Sequence, residues 1–370
     1  MAVMTRDSTF NPNGTETVSL ARHLKLVMPE LSEYLVSPQA LANLERLLQT
    51  LPPISTAGFE CRLAPGQNQV DFGVAFANYA SQFQQIFARY PQWQTLESFW
   101  QKWLNTADRQ QYFNGLLLEF DLLTELDTAA VVGNIPSLFL GLKASCLREF
   151  TGLEPLIQSL LPNSNSAVLS QVKACYDALP PGAGITHLGA MLSRSDQGVR
   201  LNMAGLPPEQ LPTYLAAIGW QDTTEQLSPL LSTLSDYVES ARILAIDVGA
   251  KVSPRIGLEC YFSHQPKQEP RWQSFLDYLV DQGLCTPTKA AALLNWPGAV
   301  QASQGHPDWP ENLSLGDRFF GSHAGSVFVR WINHLKLVYT PGYPLEVKAY
   351  PTFKHCWVET PKKTENHLGA

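Results

Sequence analysis

The sequence is poor in charge. Only 16% of its 370 residues are Asp, Glu, Lys or Arg, against roughly 25% in an ordinary globular chain. It has no basic stripe: 33 acidic residues outnumber 26 basic ones, for a net charge of -7. That argues against nucleic-acid binding, while leaving room for a local basic pocket. No run of 18 or more apolar residues occurs, so no segment reads as a membrane-spanning helix. The opening stretch MAVMTRDSTFNPNGTETVS lacks the apolar centre of a secretory signal. Cys61, Cys146, Cys175, Cys260, Cys285 and Cys356 form no CxxC pair and read as reduced thiols of a cytoplasmic protein. A Walker A loop, HExxH, GxSxG and DDxxD are all missing.

What is present supports a full core, since 45% of the residues are hydrophobic. No low-complexity linker or shift in composition cuts the chain. One domain is expected over residues 16–358, between polar tails at 1–15 and 359–370. Apolar residues at three- and four-residue spacing predict helices over 37–51, 76–90, 95–104, 149–161, 166–179, 208–218, 224–240, 270–283 and 286–295. The first opens with a Ser followed by Pro, and the last carries Pro in its first turn.

Between the helices lie paired runs that alternate apolar and polar residues. GFECRL and QVDFGVAF are joined by APGQN, and FNGLLLEFD and PSLFLGLKA by a longer connection. ITHLGAML and GVRLNMA follow, then RILAIDVG and PRIGLECYF, then INHLKLVY and PLEVKAY around the turn TPGY. This makes five hairpins separated by helical segments. Side chains alternate faces along a strand. Placing the apolar set (Phe59, Val70, Leu118, Leu140, Leu201, Leu258 and their equivalents) on helices fixes the opposite face. That face carries Glu60, Arg62, Asp71, Glu119, Asp121, Lys143, His187, Arg200, Asn202, Asp247, Arg255, Glu259, Tyr261, His334, Lys336, Lys348 and Tyr350, with Gly73, Gly141, Gly189 and Gly257 among them. An open sheet would turn this face to water. Ten strands closed into a barrel would instead enclose a polar lumen wide enough for ligands. Along the chain the carboxylates concentrate on the first two hairpins, and the bases Lys143, Arg200, Arg255, Lys336 and Lys348 come from strands four, six, eight, nine and ten. A set of Lys, Arg and Tyr suits a diphosphate held by charge and several donors.

The order of five helix-flanked hairpins resembles the ABBA (PT-barrel) prenyltransferases, and HLKLVYTPGYPLEVKAY looks like the closing hairpin of their cyanobactin peptide members. The resemblance implies an α+β fold: a ten-stranded antiparallel barrel surrounded by helices. It implies transfer of an isoprenyl group from dimethylallyl or a longer diphosphate to a peptide or small molecule. GFECRL is similar to the family's first strand, so Glu60 stands at the base position. Lys348 and Tyr350 of VKAY, Lys143 of GLKA, and Arg255 and Tyr261 of RIGLECY match residues that hold the diphosphate, and Arg200 joins them. Asp71 departs from the pattern, where a diphosphate-touching base is expected. As a second carboxylate beside Glu60 it suits a cationic acceptor such as a guanidinium. Glu119, His187, Asn202, Asp247, Glu259, His334 and Lys336 complete the lumen on the acceptor side. Trp331 and Phe139 are candidates to shield an allylic cation. No metal site and no tightly bound cofactor is expected; the prenyl diphosphate is the co-substrate, with magnesium left open as its companion. Two other readings remain: a binding barrel without catalysis, and a guanidine-modifying pentein-like enzyme. For the latter Cys356 beside His355, beyond the last expected hairpin, is the one tempting pair.

Overall fold

A computed structural model describes residues 19–52, 56–76, 90, 93–104, 113–122, 135–143, 150–161, 166–192, 198–220, 227–238, 242–302 and 306–359. The strands are β1 (Thr56–Arg62), β2 (Val70–Phe76), β3 (Phe113–Leu122), β4 (Ser137–Leu142), β5 (Gly184–Ala190), β6 (Val199–Ala204), β7 (Arg242–Val248), β8 (Val252–Cys260), β9 (Gly298–Gln301), β10 (Ala324–Tyr339) and β11 (Glu346–Glu359). All pairings are antiparallel. Strands β1 to β8 pair in sequence order, β8 pairs with β10, β10 with β11, and β11 returns to β1. Ten strands therefore close on themselves, the ABBA (PT-barrel) architecture, and β9 is an extra edge on β10. Closure removes the exposed edges that an open sheet of this size would present.

The alternation in each hairpin decides which way its side chains point. Phe59, Phe72, Leu140, Leu188, Leu201 and Leu258 are all at most 2% exposed and share one core with the helices outside the barrel. These helices are α1 (Leu20–Val27), α2 (Pro38–Thr50), α3 (Gln94–Phe99), α4 (Glu154–Leu160), α5 (Ser166–Asp177), α6 (Leu211–Ala217), α7 (Leu227–Tyr237), α8 (Arg271–Asp281), α9 (Pro287–Asn295) and α10 (Glu311–Phe320). Ser37 caps α2 by accepting from Ala40 N–H at 3.2 Å, and Thr286 caps α9 by accepting from Lys289 N–H at 3.2 Å. The helix expected over 95–104 begins as α3 and continues as a π-helix over Trp100–Leu104. The helix expected over 76–90 lies outside the described residues, apart from its two ends, and so does Cys146.

Three elements go beyond the sequence-based expectation: α1, β9 and α10. The last hairpin is also twice as long as expected. A register shift between Ile332 and Leu335 interrupts the alternation of β10, and Pro351 stands opposite Ile332 inside β11. Proline inside a strand normally argues against one, which hid the outer halves of both strands. Consequently His355 and Cys356 do not lie beyond the last hairpin. They are strand residues of β11, opposite Phe328 and Val327.

Candidate active site

The barrel register sorts the inward side chains into neighbouring rows. One row runs Glu60–Asp71–Asp121 across β1, β2 and β3. The β1–β11 register continues it to Tyr350, and β10 and β8 add His334 and Tyr261. The rings confirm the order: His334 stacks on Tyr350 at 4.0 Å and lies 4.8 Å from Tyr261. The next row is Glu259–Lys336–Lys348–Arg62. Lys336 and Lys348 thus face each other directly, a like-charge pairing that is unfavourable by itself. Each ammonium is drawn to a carboxylate. Lys348 Nζ bonds to Glu60 Oε1, and Lys336 Nζ donates to Glu259 Oε1 at 3.2 Å.

The other charges are paired as well. Arg62 reaches Asp71 at 2.7 Å and Glu60 at 3.5 Å. Arg200 forks onto Asp247 with bonds of 2.7 and 2.9 Å. Arg255 meets Glu346 at 3.4 Å. Glu259 also accepts from Asn202 and Tyr261, each at 3.0 Å. The separation of acids and bases along the chain is therefore not a separation in space. Closure sets β11 against β1 and interleaves the two signs, as buried charges require.

Environment spreads the acidities of these carboxylates. Burial alone would raise Glu60, but Lys348, Arg62 and the bonds from Lys348 and Tyr350 outweigh it and hold Glu60 well below the usual range. The same opposition, with Lys336 dominant, brings Glu259 to about 2. Glu119 on β3 is pushed up to about 7 by burial and by Glu60, with Arg200 offsetting only part. Asp71 rises to about 6, by burial and Glu60, despite Arg62. Burial lowers His334 to about 4, so its ring is neutral at pH 7. Neither His334 nitrogen, nor Asn202 Oδ1, has a hydrogen-bond partner among the described residues. Both side chains are more than nine-tenths buried, and both face the lumen.

A small, partly open cavity lies beside these rows. Arg200, Arg255, Lys336 and Lys348 line it, with Glu60 and Asp247 as its carboxylates and Ala245, Ile256, Gly257 and Val338 as its uncharged wall. Its lining carries four cations and two carboxylates inside an acidic protein, with Glu259 and Glu346 paired to Lys336 and Arg255 from outside the lining. The structure thus brings Arg200, Arg255 and Lys348 together and adds Lys336. Lys143, just past β4, and His187, on β5 with Nδ1 3.1 Å from Thr186 Oγ1, do not line this cavity. Tyr261 and Tyr350 act on its carboxylate neighbours instead. Phe139 lies against Gly189 in the lumen, where a side chain at 189 would overlap its ring. Trp331 stands opposite Thr352 on the outer half of the last hairpin. Arg62 was legible as an inward residue but not as a partner of both Glu60 and Asp71. Glu346, at the very start of β11, carried no signal.

Among the described residues no group of three or more His, Cys, Asp or Glu is placed to hold a metal, and no helix is long and apolar enough to cross a membrane. Cys356 and His355 point to opposite faces of β11. The His355 ring meets Ser326 Oγ at 2.8 Å, and burial raises the Cys356 thiol. The geometry of a thiolate–imidazole pair is absent there.

No protein-family model and no curated sequence matches the chain. Solved structures do. AnaPT from Neosartorya fischeri is 12% identical, with 84% of this chain and 86% of that one covered and a TM-score of 0.54. The prenyltransferase PriB in its apo form is 15% identical over 90% and 93%, with a TM-score of 0.48. A 5-dimethylallyltryptophan synthase from Streptomyces coelicolor is 13% identical over 90% and 97%, with a TM-score of 0.47. At such identity the likeness to AnaPT establishes the fold and nothing finer.

Proposed function

We propose that the barrel transfers a prenyl group from an allylic diphosphate to a nucleophile on a peptide or small molecule. One observation carries this reading. The cation-rich lining of the cavity includes Glu60, a carboxylate at hand to receive a proton. Arg200, Arg255, Lys336 and Lys348 hold the diphosphate. They stabilise the charge that grows on it as the bond between the allylic carbon and oxygen breaks, with the electron pair leaving on oxygen. Lys143, Tyr261 and Tyr350 are similar to the family's diphosphate-holding residues. Their positions favour a supporting part, with Tyr261 and Tyr350 orienting Glu259 and Glu60. Phe139 and Trp331 shelter the allylic cation from water. The nucleophile's electron pair bonds to that carbon, and its proton passes to Glu60. Asp71 takes part by fixing Arg62 against Glu60.

The acceptor lies against Glu119, His187, Asn202, Asp247, Glu259 and His334. The unsatisfied nitrogens of His334 and the free carbonyl of Asn202 favour a group rich in hydrogen bonds. The carboxylates across β1, β2 and β3 favour a cation, so a guanidino or amino side chain of a peptide is preferred over an indole.

The test is incubation with dimethylallyl and longer diphosphates and a panel of peptides and small nucleophiles, read by mass. A product heavier by one prenyl unit supports the proposal, and an arginine-containing acceptor supports its finer part. Failure to bind diphosphate, together with no product at any chain length, rejects it. Diphosphate binding without product favours a binding barrel.

A further inference from the structure

We infer that the diphosphate and Glu60 compete for Lys348, so that binding of the donor is what makes Glu60 a proton acceptor. The inference rests on the prenyl-transfer reading. In the ligand-free barrel Glu60 is a poor base. Lys348 bonds to Oε1, Tyr350 Oη donates to Oε2 at 2.5 Å, and Arg62 stands 3.5 Å away. A carboxylate so supplied with donors has little affinity for a further proton.

The same Lys348 ammonium lines the cavity, directly opposite Lys336. The two ammoniums repel each other, and an anion between them removes that repulsion. Arg200 is already committed to Asp247 by two bonds and is the hardest of the cations to turn. A lysine is a point charge on a flexible stem with three rotatable donors, so it changes partners more readily. The incoming diphosphate therefore draws Lys348 from Glu60. What remains around Glu60 is burial, at 6% exposure, with fewer charges to oppose it. Besides Lys348, Tyr350 and Arg62, the groups facing Glu60 are Asp71 on β2, Glu119 on β3, Arg200 on β6 and His334 on β10. Two of these are carboxylates, and His334 is neutral. The proton affinity of Glu60 rises once the donor is in place. The nucleophile's proton then goes to Glu60 as its electron pair bonds the allylic carbon, and the diphosphate departs with the electrons of the broken C–O bond. Without donor, the acceptor meets no base.

The experiment uses inorganic pyrophosphate in metal-free buffer with the wild-type chain and Glu60→Gln. Binding is followed by calorimetry in two buffers of different ionisation enthalpy, which counts protons taken up. Wild type is expected to take up more protons than Glu60→Gln, and Glu60→Gln to bind about tenfold more tightly, because Lys348 is no longer held back. Tighter binding with an unchanged proton count is simple loss of repulsion and overturns the inference, as does unchanged or weaker binding. In each of those cases the diphosphate reading stands. Absence of binding by both proteins rejects the two together. If Glu60→Gln does not fold, Lys348→Gln decides: weaker binding with fewer protons taken up is expected, and binding equal to wild type overturns the inference.

Discussion

Gly257 on β8 lies beneath the side chain of Lys336 on β10. A Cβ built there would sit 3.4 Å from Lys336 Nζ and overlap Cε outright. The clash falls on the far end of a flexible side chain, so Gly257→Ala is accommodated by moving Lys336. The fold is expected to survive at a cost of about 3 kcal/mol in unfolding free energy, because buried Glu259 loses its counter-charge and keeps only its bonds from Asn202 and Tyr261. Lys336 leaves its place beside Glu259 and the cavity. Pyrophosphate affinity is expected to fall about tenfold, or roughly 1.4 kcal/mol. Unchanged affinity would show that Lys336 does not touch the anion.

Glu119 and Glu259 should give stability opposite dependences on pH. Glu119 titrates at about 7 in the fold, well above its ordinary value of 4.5. The folded state holds that proton more tightly, so this contribution is full at low pH and is lost as pH rises from 4.5 through 7. Glu259 titrates at about 2, below 4.5. Its contribution is present above 4.5 and is lost as pH falls toward 2. Chemical denaturation at pH 8 should find Glu119→Gln more stable than wild type by roughly 2–3 kcal/mol, and Glu259→Gln less stable. An increase for both, or a decrease for both, contradicts the environments described.

Much of this was legible beforehand, and the boundary has a physical basis. The five hairpins were readable because one face of each packs on helices, and period-two alternation is the direct imprint of that packing. Phe59, Cys61, Val70 and Phe72 are buried where the alternation put them. It failed in the outer half of the last hairpin, where Val327, Phe328 and Val329 are apolar in succession and the register shift and Pro351 break the pattern. The inward direction of Glu60 and Lys348 was legible, but their bond was not. The two residues are 288 positions apart and meet only because β11 closes onto β1. Alternation gives the face; closure gives the partner.

Lys289 at the start of α9 is a buried cation with no carboxylate paired to it among the described residues. Its ammonium donates to three backbone carbonyls, at 2.8 Å to Arg62, 3.3 Å to Ala64 and 2.5 Å to Gln67. It thereby ties the β1–β2 turn to the helical layer, two residues from Glu60. Lys289→Met keeps the stem and leaves those acceptors without a partner. A loss of about 2–4 kcal/mol in unfolding free energy is expected. Lys289→Arg should recover part of it, and a loss below about 0.5 kcal/mol would mean that water replaces the ammonium.

Asp71 allows the positioning part of the site to be separated from the anion-binding part. Its carboxylate is fully buried, pairs with Arg62 at 2.7 Å, and accepts from Leu122 N–H at 3.1 Å and Gln69 Nε2 at 3.2 Å. Asp71→Asn retains an acceptor for Leu122 but leaves Arg62 without its nearest counter-charge. Breaking such a pair from one side costs about 3–5 kcal/mol when it is wholly buried. Arg62 keeps 13% of its side chain exposed, so a loss of about 2–3 kcal/mol is expected. Arg62 is then free to turn fully onto Glu60, which makes Glu60 a weaker base. Turnover should fall about tenfold or more, with pyrophosphate affinity unchanged. Glu60→Gln, in contrast, abolishes turnover and tightens pyrophosphate binding. Removing both charges in Arg62→Gln/Asp71→Asn should restore stability beyond the sum of the single losses, because neither charge is then left buried alone. A double variant as unstable as that sum would show that the two residues act independently.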